Sequence, residues 1–336
     1  MTMKFNTSFI RACYISTVFT GVERVYGIST KELNIPQALM DEPMALIPFG
    51  QICHWLERLE QVTQDSAYML RLAQYLDFSR LNIPGISFLA TTDLAMSVRR
   101  INYGIASFHS GASYYIIQSG KIIKWCYRNP YAFNQHKTHD SLRVAIMLFN
   151  TLKHFLGGDY RPLQIHISGP AVGRQEAESL FNCPVIWNAP QTEIWIGTDA
   201  LVQQANLLTA ENSTVSMPRS LFEQYLDMPQ PHDTPKVLFE MVNYARYYGL
   251  PTVDSVAALF NISRQQLQRR LQLHGFNFTS ICGYILSNQA IKYMLDDRSI
   301  EEITQLLGYA NKQSFSKAFK RFRNCTPQQY LERIKP

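Results

Sequence analysis

Apolar residues return every three or four positions through some stretches of the chain and alternate singly in others, and these two periods sort the sequence into helices and strands. Tyr14 to Tyr26 reads as a helix stopped at Gly27, with Ile35-Pro36 marking a turn beyond it. Gln51–Gln64 and Ser66–Leu76 carry the helical period. After Pro84-Gly85 the run ISFLA reads as a short buried strand, and Thr91-Thr92-Asp93 caps a helix reaching about Phe108. SYYIIQS and KIIKWCYR, split by Ser119-Gly120, give the hairpin pattern. A helix follows from about Asp140 to Phe155, ended by Gly157-Gly158. Then come a strand (LQIHIS), a helix (RQEAESLF) and two more strands (PVIWN and EIWIG). This mixture predicts an α+β or α/β domain of sensor size over residues 1–206, with α+β preferred. Residues 207–234, with Ser213, Pro218, Met228-Pro229 and Pro231-His232, read as a linker holding one short helix.

From residue 235 onward the pattern is helical only, and it repeats. SRQQLQRRL (Ser263 to Leu271) and NKQSFSKAF (Asn311 to Phe319) lie 48 residues apart. Superposed, Leu267 falls on Phe315, Leu271 on Phe319, Gln265 on Gln313, Gln268 on Ser316 and Arg269 on Lys317. On a helical wheel Leu267 and Leu271 share one face, opposite Gln265, Gln268, Arg269 and Gln272. In the second copy Phe315, Phe319 and Phe322 point inward, opposite Gln313, Ser316, Lys317 and Lys320. A short helix precedes each, VDSVAALF and SIEEITQLL, separated from it by a turn at Asn261 or Gly308. Both residue types tolerate the positive φ that a tight turn requires. Ser263 and Asn311 suit N-caps, and Ser299 with Glu302 forms a capping box. Helix, short turn and capped second helix make a helix-turn-helix pattern, present at about 253–274 and 300–323. Between the copies, Cys282, Leu286, Ala290 and Met294, with Ile291 and Leu295 beside them, predict a linker helix over Thr279–Asp297 with a core-facing stripe. Such a helix, ~27 Å long at 1.5 Å per residue, would hold two readers in successive segments of one major groove.

An outward face of amides and cations without carboxylates suits the acceptor-rich edges of guanine and adenine. A solvated face is the plain alternative, and repetition in register weighs against it. The expected DNA-contacting residues are Arg264, Gln265, Gln268 and Arg269 in the first copy, and Lys312, Gln313, Ser316, Lys317 and Lys320 in the second. Arg323 and Lys335 are expected on phosphates, and Arg270, about 60° from the core face, on an acid or a phosphate.

The C-terminal stretch resembles the DNA-binding domain of AraC/XylS-type transcriptional regulators. Ser263, Leu267, Arg269, Leu271 and Gly275 match in the first half. Ile300, Glu302, Ile303, Leu307, Gly308, Tyr309, Ser314, Phe315, Phe319, Lys320, Pro327 and Tyr330 match in the second. Two departures stand out. Asn324 occupies a position where the family usually has Gly, and Leu286 and Ser287 stand where Arg is common, which removes a phosphate contact or ion pair. The N-terminal half is similar to the sensor domain of one subgroup, the arabinose-regulator-like one, through GVERVYGIS, the hairpin and FNCPVIWNAPQTEIWIGTDAL. The resemblance implies a sequence-specific transcription factor under small-molecule control. Its implied partners are promoter or operator double-stranded DNA, RNA polymerase, an effector of unspecified identity and a second copy of the chain. It implies no cofactor.

Charge sharpens the division. Residues 235–336 carry 14 Lys/Arg against 7 Asp/Glu, while residues 1–234 carry 18 against 19, so only the C-terminal part is built to meet a polyanion. Six scattered cysteines without paired spacing fit reduced thiols in a cytoplasm. YISTVFTGV is too short and polar for a signal peptide and reads as amphipathic helix, and no stretch is long enough to span a membrane.

Catalytic patterns are lacking. His136 and His139 with Cys126 want a fourth metal ligand and read as a polar turn. ISGPAVGR has neither P-loop lysine nor dinucleotide glycine spacing and reads as a strand-to-helix turn. The aromatic series Tyr103, Phe108, Tyr114, Tyr115, Trp125, Tyr127, Tyr131 and Phe133 is spaced as core, with an effector-pocket lining as the alternative. Two other classes compete with the regulator. An enzyme-like N-terminal domain fused to a DNA-binding module should show a catalytic constellation, and a non-specific architectural protein should lack base-reading amides.

Overall fold

The computed structural model describes residues 5–81, 83–132, 136–202 and 227–334. The chain forms two compact units: Ser8–Met228, and Pro229–Pro336 together with Met1–Thr7. The short helix expected within 207–234 lies outside the described residues, as does Lys335.

In the larger unit a two-stranded antiparallel ribbon, β1 (Phe9–Arg11) and β2 (Leu46–Pro48), leads into the helices. Helix α1 (Ala12–Tyr26) buries Tyr14, Ile15, Val18 and Val22 and ends at Gly27. That residue's left-handed conformation (φ 70°) lets its N–H reach the Glu23 carbonyl, as the sequence predicts. After α2 (Gln37–Met40) comes α3 (Phe49–Thr63). The expected helix over Ser66–Leu76 is instead broken into α4 (Tyr68–Arg71) and a 3₁₀ turn at Ala73–Tyr75. Asn150 donates to the carbonyls of Ala73 and Leu76, each at 2.9 Å, groups at the end of the segment that even a continuous helix ending there would leave without an internal partner.

The ISFLA segment is helix rather than strand: α5 spans Ile83–Leu89. A five-residue apolar run does not by itself separate the two states. Here Phe88 and Leu89 are buried while Ile86 is 50% exposed, a one-sided distribution. Pro84 sits in the first turn, where a missing N–H leaves no bond unmade. Asp93 then caps α6 (Leu94–Gly104) by accepting from the Met96 N–H.

Five strands form one sheet in the order β3-β4-β7-β5-β6, antiparallel except for β5 with β6. They are β3 (Ser113–Ser119), β4 (Ile122–Arg128), β5 (Gln164–His166), β6 (Val185–Ile186) and β7 (Thr192–Gly197). The predicted hairpin joins β3 to β4 through Gly120-Lys121, with Gly120 at φ 60°. Paired side chains of β4 and β7, Ile123 with Ile196 and Trp125 with Ile194, are all buried. The 21-residue helix α7 (His136–Leu156) packs on β7 and against α3 and α4, and Leu142 to Phe149 are buried on every side of it. The ISGPAVGR segment is a strand-to-helix turn, running from β5 to α8 (Arg174–Phe181). Helix α9 (Thr198–Val202) follows β7.

The smaller unit is helical throughout its described residues: α10 (Thr234–Ala245), α11 (Val253–Leu259), α12 (Arg264–Leu273), α13 (Phe278–Leu295), α14 (Ile300–Leu306), α15 (Lys312–Arg323) and α16 (Pro327–Ile334). α11 packs on α12 and α14 on α15, while α13 packs against α10, α14 and α15. The stripe on α13 includes Cys282, Leu286, Ala290 and Met294 as expected, all buried, but Ile285 and Tyr293 flank it instead of Ile291 and Leu295. Leu295 is 61% exposed. The flank is set by Arg246, itself 3% exposed, which donates to the Tyr293 hydroxyl at 2.7 Å and so draws that ring inward. No helix among the described residues is long and apolar enough to cross a membrane.

Candidate nucleic-acid interface

The two helix pairs of the smaller unit are built by the same local devices. Asn261, at φ 53°, lies between α11 and α12, and Gly308, at φ 75°, between α14 and α15. At Gly308 a Cβ would stand 2.5 Å from the Leu250 backbone nitrogen, so glycine is required for space as well as for conformation. Ser263 caps α12, accepting from the Gln266 N–H at 3.2 Å, while the Gln266 side chain accepts from the Ser263 N–H at 2.8 Å. Ser299 and Glu302 make the same reciprocal pair at 3.2 and 2.8 Å, and Asn311 caps α15 at 2.9 Å. Those hydrogen bonds hold the Glu302 carboxyl below its ordinary pKa.

Each second helix buries one face and presents the other. Leu267 and Leu271 are buried on α12, opposite the exposed Gln265, Gln268 and Arg269. Phe315 and Phe319 are buried on α15, opposite the exposed Gln313, Lys317 and Lys320, with Ser316 half-buried beside them. Arg264 and Lys312, the first residues of their helices, each pair with an acid on the preceding helix, Arg264 with Asp254 at 3.2 Å and Lys312 with Glu301 at 2.6 Å. These ion pairs are repeated at the offsets of the helices themselves, 47 residues for the acids and 48 for the cations. The signal lay in the sequence and sequence reasoning passed over it: an acid at the second position of each first helix. Both pairs are exposed, so their role is to set side-chain direction and not stability. Lys312 holds the Glu301 carboxyl below its ordinary pKa.

Two cations are placed otherwise than expected. Arg270 faces the Phe5 ring, 5.4 Å from its centroid, and not an acid. Phe5, 2% exposed, in turn stacks on Phe260 at 4.1 Å. An aromatic face takes the guanidinium where no carboxylate is in reach. Arg323, expected on a phosphate, is half-buried and donates to Ser287 at 3.2 Å and to Asn288, tying α15 to α13. Ser287 thus receives an arginine from another helix at a position where the family commonly has its own. Phe322 lies half-buried against Gly283 of α13, where a Cβ would come within 1.8 Å of the ring.

In the larger unit the aromatic series divides. Phe108, Tyr114, Trp125 and Tyr127 are buried, whereas Tyr103 is 56% exposed. His139 bonds Glu60 at 2.8 Å, and Cys126 is buried, its thiol pushed up to about 12 by burial. Asp140 belongs to a buried polar cluster that sequence reasoning missed. Its carboxylate accepts from Arg143 at 2.8 Å, Tyr127 at 2.7 Å and Asn129 at 3.2 Å, and Arg143 lies 4.6 Å over the Tyr14 ring. Burial alone would raise the Asp140 pKa, and the Arg143 guanidinium reverses the direction to a net lowering. His109, wholly buried with neither ring nitrogen hydrogen-bonded, stacks on Phe49 at 4.8 Å. Burial pushes its pKa down to about 3.

The fold and the exposed faces define a class of protein, the DNA-binding transcription regulators, and comparison with known proteins agrees. Residues 256–333 match the family described as a helix-turn-helix domain, and residues 29–205 match the arabinose-binding domain of AraC transcription regulator, N-terminal. The chain belongs to the AraC family of transcription regulators, in the branch that carries this N-terminal domain. Uncharacterized HTH-type transcriptional regulators of Mycobacterium bovis and Mycobacterium tuberculosis are each 30% identical over 84 residues, 25% of this chain. The match spans about a quarter (24%) of the length of those curated relatives. Among solved structures, transcriptional regulator CdpR from Pseudomonas aeruginosa is 15% identical with a TM-score of 0.44, covering 95% of this chain and 98% of that one. A DNA-binding transcriptional dual regulator from Escherichia coli K-12 is 18% identical with a TM-score of 0.26, covering 29% and 90%.

Proposed function

We propose that this regulator reads a specific double-stranded DNA sequence with two helix-turn-helix motifs, α11–α12 and α14–α15, held apart by α13 as a linker helix, and that its N-terminal domain tunes the reading in response to a small-molecule effector. The observation that carries the reading is the duplication, in register, of one exposed face. Gln265, Gln268 and Arg269 on α12 recur as Gln313, Ser316 and Lys317 on α15, each behind a first helix that aims a basic residue through an ion pair. Amides and cations on such a face match acceptors and donors of base edges, while Arg264, Lys312 and Lys320 stand where phosphates flank a groove. A non-specific architectural protein needs the cations and has no use for the repeated amides.

Site selection from a randomised duplex pool tests the assignment. Arg269→Ala is expected to cost ~1–3 kcal/mol on the selected site and to relax base choice at one position. Arg270→Ala, whose guanidinium faces Phe5, is expected to leave base choice unchanged. The opposite result, specificity lost with Arg270 and kept without Arg269, places a different face of α12 in the groove.

A further inference from the structure

The larger unit contains a cavity of about 200 Å³ where the end of β4, the start of β7 and the first turns of α7 meet. At ~30 Å³ per water this is the space of roughly six or seven water molecules, the size of a small metabolite. Its floor is hydroxylic. Ser141 and Thr192 share a hydrogen bond at 2.6 Å, and the Ser168 backbone donates to the Ser141 hydroxyl at 2.9 Å. Ser168 also lines the cavity, and its hydroxyl is buried and has no partner. Buried hydroxyls are ordinarily bonded, and this one, in the cavity wall, is left able to turn toward a group that enters.

The charge of the lining selects that group. Arg128 and Lys137 line the cavity, and among the described residues neither forms an ion pair with a carboxylate. Asp140 is the one acid of the lining, and both its oxygens are engaged, one by Arg143 and the other by Tyr127 and Asn129. Its charge is matched from behind by a guanidinium that is itself fully buried. The N-terminal end of the 21-residue α7 adds its positive dipole on the same side. Net positive lining, helix N-terminus and an orphaned buried hydroxyl favour an anion with a second polar group beside it.

We infer that this cavity binds a small organic acid, its carboxylate on Lys137 and the end of α7, and its other oxygen on Ser168. This rests on the reading of the N-terminal domain as an effector sensor and gives that sensor its ligand class and place. Isothermal titration calorimetry of the full-length protein with glycolate, L-lactate, succinate and L-glutamate, beside glycolamide, lactamide, succinamide and inorganic phosphate, tests it. At least one acid is expected to bind where its amide does not. Lys137→Gln is expected to weaken that acid at least tenfold and Ser168→Ala at least threefold, while Lys292→Gln, at an exposed position of the smaller unit, leaves it unchanged. Binding by none of the acids, equal binding by the amides, binding by phosphate alone, or an affinity untouched by Lys137→Gln overturns the assignment. Measuring DNA affinity with and without the acid separates the two layers. An acid that meets these criteria without altering DNA affinity keeps the site and defeats effector control. A DNA response to acids that survives in Lys137→Gln keeps effector control and defeats the site.

Discussion

At the scale of single residues, the buried titratable groups hold the most physical information. His109 has no hydrogen-bond partner for either ring nitrogen and is held neutral by burial, with a pKa near 3. In the unfolded chain the same ring protonates near 6.5. Between those values the unfolded state binds the extra proton, so this residue's contribution to stability falls as pH drops from 6.5 toward 3. His109→Phe keeps the stack on Phe49 and removes the proton. Its stability relative to the parent should therefore grow by up to about 1.4 kcal/mol per pH unit across that window. Urea denaturation followed by tryptophan fluorescence reads it directly, because all four tryptophans (Trp55, Trp125, Trp187 and Trp195) lie in the larger unit. Parallel pH profiles for the two proteins would contradict it. None of this was legible in the sequence, where His109 is one histidine after Phe108. The apolar and cap residues of the second helices were legible, since Leu267, Leu271, Phe315, Phe319, Ser263 and Asn311 act through neighbours three or four positions away. Arg270, Arg323 and Asp140 were not, because Phe5, Ser287 and Tyr127 come to them from other elements.

Elements were legible in proportion to how local their causes are. The helix α8 and the β3–β4 hairpin fall where periodicity and turn chemistry place them. The ISFLA segment does not, since its helical state follows from Pro84 in a first turn and from burial of only one side. Ser66–Leu76 does not either, and the carbonyls at its end are met by Asn150 from far along the chain. The capping box of α14 offers a quantitative check. Ser299→Ala removes the acceptor for the Glu302 N–H, and such a loss costs ~1 kcal/mol. Amide exchange across Ile300–Leu306 should accelerate about fivefold, with Lys312→Ala, which breaks only an exposed pair, changing it little. Equal acceleration by both substitutions would mean that the helix is held by its partner and not by its cap.

At the scale of the whole molecule, the order β3-β4-β7-β5-β6 was beyond sequence reasoning, because β4 pairs with β7 across some seventy intervening residues and no turn announces it. The division into a helical, basic C-terminal region and an α+β region was legible from period and charge alone. On the proposed function, two unlike readers on one chain require an asymmetric site of two different short boxes, about one helical turn apart, where a single reader per subunit would impose a palindrome. In this proposal α13, 18 residues long, sets their spacing. The direct measurement is the affinity of the full-length protein for a duplex bearing one selected site, before and after five base pairs are inserted between its boxes. Five pairs turn the second box by about half of a ~10.5-pair helical repeat and carry it to the far side of the duplex. Affinity is predicted to fall to that of a duplex holding one box alone. Affinity unchanged by the insertion would mean that only one of the two helices enters the groove, and the two-reader account would fail.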